Sequence, residues 1–148
     1  MIKQLWFVRN EHRLFNYLNF AIAGFTLIYT ILNIIVFEGA NTRYAFLILP
    51  IIALSICILL NRIYKGVHKR KSILSLEKEK QIAKTKICQE TAIGYNFILM
   101  LLSFFIQMDI LNTYKNVGGS YIILEILCIV AFFCFGLYQK RRLKNIKK

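Results

Sequence analysis

The chain has 148 residues, 57% of them hydrophobic and 14% aromatic, with a single proline and a formal net charge of +13. That apolar content exceeds what a water-soluble domain of this length carries, and the polar residues gather into blocks between four long apolar runs instead of alternating at helical spacing. The pattern excludes a soluble bundle, and it assigns the positive charge to membrane insertion in preference to nucleic acid, for which no module is visible.

The fold class that follows is an all-α membrane protein: one domain of four transmembrane helices, arranged as two consecutive hairpins. Residues 1–18 form a basic N-terminal segment in which Ile2, Leu5, Trp6 and Phe7 mix with Lys3, Arg9 and Arg13. Such a composition suits a helix lying along the inner interface, although Arg9 and Arg13 share a face with Leu5 and Trp6 and must snorkel. The first span is placed at 19–38. It lies too far from the start, with too little small-residue sequence after it, for a cleaved signal peptide, and is expected to remain as a signal anchor.

The second span, 43–64, contains Pro50, whose missing amide hydrogen weakens the turn around Phe46 and predicts a kink. The segment 65–90 is the largest soluble piece, with alternating signs at Glu77, Lys78, Glu79 and Lys80 ahead of Lys84 and Lys86. A solvated helix fits it, capped by Ser72 or Ser75 and continuing into the third span. The third span is expected at 91–112, the fourth at 120–139, and a basic tail at 140–148. A rise of about 1.5 Å per residue lets roughly 20 residues cross a hydrocarbon core of about 30 Å.

Eighteen of the twenty Lys and Arg residues fall in the N-terminal segment, between Arg62 at the end of the second span and Lys86, and in the tail, leaving Arg43 and Lys115 for the two short loops. This partition predicts that both termini and the long loop are cytoplasmic, in a plasma membrane whose anionic inner leaflet the basic face meets. Lys69, Arg70, Lys71, Lys140, Arg141 and Arg142 are the candidate lipid contacts, although setting topology alone would account for them. All tyrosines but Tyr29 fall at or near the ends of runs, as an interfacial belt requires.

The four cysteines, Cys57, Cys88, Cys128 and Cys134, avoid the external loops and form no Cys-x-x-Cys pair, so small buried thiols are expected. His12 and His68 have no ligand partner at metal-binding spacing, and no cofactor is implied. A shift of 77 residues places Asn19-Phe20 on Asn96-Phe97, Tyr44 on Tyr121 and Cys57 on Cys134. Two hairpins of the same orientation, related by an axis along the membrane normal, would produce that pattern, and so would chance in a chain this rich in Ile and Leu.

The sparse acids carry the strongest hint of chemistry. Glu38 ends the first span, Gln107 and Asp109 lie late in the third, and Glu125 stands one turn into the fourth. Charged groups within a span are costly and are functional candidates by default. Either Gln107, Asp109 and Glu125 line an outward-facing pocket for a cation or cationic peptide, or they hold helices in register. Asn33, with Thr26, Thr30 and Ser103, is a candidate for hydrogen bonding between helices.

Three functions remain. The first is a non-enzymatic accessory or self-protection protein that meets a membrane-active peptide or a partner membrane protein through its helix faces. The small, basic, Ile-, Lys- and Asn-rich character resembles bacterial membrane proteins of that kind. The second is a transporter of cations or lipophilic cations working as a homo-oligomer; small multidrug transporters share the span count but place a glutamate inside the first span, which here is uncharged before Glu38. The third is an anchor that recruits a cytoplasmic partner through residues 65–90.

Overall fold

The computed structural model describes residues 10–36, 41–69, 73 and 76–147. Helix α1 spans Asn10–Val36. A 3-10 segment, Asn41–Leu47, runs directly into α2, Ile48–Gly66, which ends in a 3-10 turn at Val67–Lys69. Two longer helices follow, α3 at Lys78–Lys115 and α4 at Ile122–Lys147. Four helices are therefore long and apolar enough to cross a membrane, which suggests a multi-pass membrane protein.

Several boundaries differ from the sequence reading. Residues 10–18 do not form a separate segment but are the first turns of α1. In the 65–90 segment the expected helix is present and joins the third span: α3 begins at Lys78 and continues without a break into its apolar part. Its 38 residues extend about 57 Å, nearly twice a hydrocarbon core of about 30 Å. Glu77 occupies its N-cap position without a side-chain cap bond. The charged residues of this stretch are good helix formers, so a helix nucleated in the apolar run propagates through them. The basic tail likewise continues α4 to Lys147. Met1 to Arg9, Glu38, Arg70, Lys71, Ser72 and Ser75 lie outside the described residues.

Pro50 does not interrupt an established α-helix. It is the third residue of α2, and the span changes from 3-10 to α-helix two residues before it. Its fixed φ favours the first turn of an α-helix, and because a 3-10 segment precedes that turn, the bond it forgoes is the one to the Phe46 carbonyl.

Helices α1, α2 and α3 pack against one another in pairs, whereas α4 packs along α3 and makes no comparable contact with α1 or α2. Only 6% of the apolar stretch of α4 is buried within the molecule, against 28% for α1 and for α3. The three-helix centre is built on small or flexible residues, Ala23, Ala53, Cys57 and Met100, which let the backbones approach closely. A second cluster, Tyr64, Ala92 and Ile93, sits nearer the end where the basic residues of α2, α3 and α4 collect.

Glycine provides the α3–α4 contact. A Cβ on Gly94 would collide with the ring of Phe135, and one on Gly136 would collide with the hydroxyl of Tyr95. Each helix thus lays an aromatic ring over the other's glycine. Tyr95 also meets Phe132 with ring centroids 4.5 Å apart.

The 77-residue shift has a counterpart in space. Thr30 and Gln107, which that shift equates, hydrogen-bond to each other, and the side chain of Asn19 reaches the carbonyl of Ile93, one turn before Asn96. Helices α1 and α3 therefore lie side by side in the register of the shift. Their partners do not follow: Cys57 of α2 is fully buried, whereas the equivalent Cys134 of α4 is exposed.

Candidate functional site

A seam of amides runs through the three-helix core. At the basic end, His12 Nδ1 and the Tyr64 hydroxyl are 2.8 Å apart, both side chains buried, with the two rings edge to face. Gln89 donates to the Tyr64 carbonyl, Asn19 to the Ile93 carbonyl and Asn96 to the Cys57 carbonyl. Further along, Gln107, 1% exposed, donates to Thr30 Oγ1 at 3.1 Å and to the Phe46 carbonyl at 3.0 Å.

The last bond answers the proline. Phe46 stands four residues before Pro50, and the carbonyl that an ordinary residue at 50 would engage has no amide hydrogen to accept. Gln107 of α3 supplies that donor across the helix interface. In an apolar surround such a carbonyl left alone would cost about 1–3 kcal/mol.

Each of these amides spends its N–H on a fixed acceptor, which settles its orientation. The acyl oxygens of Asn19, Asn61, Gln89, Asn96 and Gln107 are then buried without a protein donor. Four of the five belong to the half of the core nearer the basic end.

The acids sit elsewhere. Helix α3 ends at Asn116, whose φ of 56° is left-handed, with its N–H and that of Val117 bonded back to Thr113 and Asn112. This arrangement satisfies the last carbonyls of a helix. The turn then passes Gly119 at φ +126°, a conformation that L side chains rarely adopt. Asp109 reaches across it: Oδ1 accepts the backbone N–H of Tyr121 at 2.8 Å, and Oδ2 accepts the Ser120 hydroxyl at 3.4 Å. Ser120 Oγ in turn accepts the N–H of Ile122. Asp109 is therefore an N-cap for α4 supplied by the preceding helix, where a carboxylate also complements the helix dipole. Glu125, in the first turn of α4, lies against Asp109.

The structure thus brings Asp109 and Glu125 together but places Gln107 apart from them, buried in the α1–α2–α3 core. Two residues along a helix turn the side chain about 200°, so neighbours in sequence serve opposite interfaces. Asn33 donates to Tyr29 O in its own helix. Tyr29, the exception to the belt, has Lys115 Nζ 5.6 Å from its ring centroid. Lys69, Lys140 and Arg141 are exposed, and Arg142 forms an ion pair with Glu90 of α3 and lies over the Tyr138 ring.

Three contacts were not visible in the sequence: His12 with Tyr64, Glu90 with Arg142, and the paired glycines of α3 and α4. Only the glycines left a sequence signal, as small residues in otherwise bulky spans. Where α4 leaves α1, a groove of about 520 Å³ opens near the basic end, bounded by His12 and Phe15 of α1, Phe97 of α3, and Phe135, Tyr138 and Arg142 of α4. It has the apolar lining and few polar groups of a binding cleft. No protein-family model, curated protein or solved structure matches this chain.

Proposed function

We propose that this chain is a small non-enzymatic protein of a bacterial plasma membrane, with both termini cytoplasmic, that serves an accessory or self-protection role by docking an apolar helix. The helix belongs to a membrane-active peptide or to a partner membrane protein. The observation that supports this reading is the one-sided packing of α4. It leaves the α1–α3–α4 groove open along the bilayer and most of the apolar surface of α4 without an intramolecular partner. Association of helices in lipid depends on close packing, and an open groove beside a glycine-bearing helix offers it.

Deleting the gene and challenging cells with cationic membrane-active peptides tests the reading. Sensitisation to peptide, with no substrate flux in vesicles, is the expected result, together with crosslinking of the peptide or partner to a photoreactive group at Phe97. Unchanged sensitivity with no crosslink at that position would remove the proposal.

A second reading, transport of cations or lipophilic cations, draws support from the buried amide oxygens of the core. It predicts proton-coupled efflux that is lost in Glu125→Gln. The carboxyl pair alone supports it less, because Asp109 spends both oxygens on the start of α4.

A further inference from the structure

Two cavities at the basic end meet at one side chain. The larger, about 630 Å³, lies between the first turns of α3 and the last turns of α4: Lys80 and Lys84 line it from one helix, Lys140 and Lys144 from the other, over an apolar floor of Leu143 and Ile146. Each lysine pair is spaced four residues apart, which puts both ammonium groups on one face of its helix. Four like charges thus converge on one groove, and none of its lining residues is acidic.

The smaller cavity, about 320 Å³, is bounded by Leu60 and Ile63 of α2, Ala92 and Tyr95 of α3, and again Leu143. It straddles the end of the spans, with Leu60, Ile63, Ala92 and Tyr95 inside them and Val67, Cys88 and Leu143 just beyond. Cationic at one end and apolar at the other, the combined space has the polarity of an amphiphile, and its α4 wall begins at Lys140, just beyond Tyr138 at the end of the fourth span.

We propose that the two cavities form one site for an anionic phospholipid, its headgroup held among Lys80, Lys84, Lys140 and Lys144 and an acyl chain laid past Leu143 into the lower cleft. The apolar cleft distinguishes this site from one for a soluble acidic peptide, which has nothing to place below Leu143. The assignment rests on bilayer insertion but is independent of which end of the molecule is cytoplasmic.

The test uses the full chain in nanodiscs of equal phosphatidylglycerol and phosphatidylcholine, identical in both leaflets, followed by release into mild detergent and native mass spectrometry. Retention of phosphatidylglycerol over phosphatidylcholine is expected. In Lys84→Gln/Lys144→Gln it falls at least about tenfold. Leu143→Trp, which blocks the junction and leaves the charge intact, lowers it similarly, while Lys115→Gln at the other end does not. If a variant loses its helical circular dichroism, Lys80→Gln/Lys140→Gln replaces it. Equal retention in the wild type and the groove variants, or displacement of the lipid by inorganic phosphate alone, would overturn the site. Failure of insertion is read separately, as release of the chain from membranes by alkaline carbonate.

Discussion

Pro50 and Gln107 are joined through a single carbonyl, and the apolar surround of that carbonyl explains why. In water the Phe46 oxygen would find a solvent donor; within a span it needs one from the protein. Gln107→Leu is expected to lower stability by about 1–3 kcal/mol, read as a shift in the unfolding transition in mild detergent. The two positions form a cycle: Pro50→Ala restores an intrahelical donor to Phe46, so Gln107→Leu in that background costs less by about 1 kcal/mol. Additive losses would show that Gln107 acts through Thr30 alone. The sequence made the proline and its weakened turn legible, together with the polar residues within spans. It did not reveal which polar residue meets which backbone group, because Phe46 and Gln107 are 61 residues apart and the pairing exists only once α2 and α3 touch.

Apolar runs of about 20 residues identify helices in lipid well, which is why all four elements could be read in order. Their ends were harder to read. Hydropathy reports where an apolar run stops, whereas a helix stops where its caps are; the charged start of α3 was legible, but the extension of α1 back to Asn10 and of α4 to Lys147 was not. The start of α4 depends on Asp109. Asp109→Ala is expected to destabilise the α3–α4 hairpin by about 1–2 kcal/mol, and Asp109→Asn, which keeps an acceptor, by less than half of that. Hydrogen exchange at Tyr121 and Ile122 is the direct measurement. Gly119→Ala should strain the same turn by about 1 kcal/mol, since its φ of +126° suits glycine alone. Gly94→Leu, which drives a branched side chain into the Phe135 ring, should separate α4 from α3 without unfolding the other three helices; tryptic cleavage after Lys115, at the end of α3, would report it.

At the scale of the molecule, the charge partition and the packing describe different asymmetries. Under the proposed orientation, Ser120→Cys is labelled by an impermeant maleimide in intact cells, whereas Lys144→Cys is labelled only after permeabilisation. The reverse pattern would invert the topology. The 77-residue similarity foreshadowed the parallel placement of α1 and α3 but not the departure of α4 from symmetry, which arises where Gly94 and Gly136 bind it closely to α3. Because α3 is the common wall of every interface but α1–α2, it also dictates the order of assembly during synthesis. Until α3 arrives, the first hairpin has neither the Ile93 carbonyl for Asn19 nor the Gln107 amide for Thr30. A nascent chain halted after Lys115 should therefore already carry the mature core, whereas one halted after Gly66 should not. The last helix to be made joins a core that is already complete.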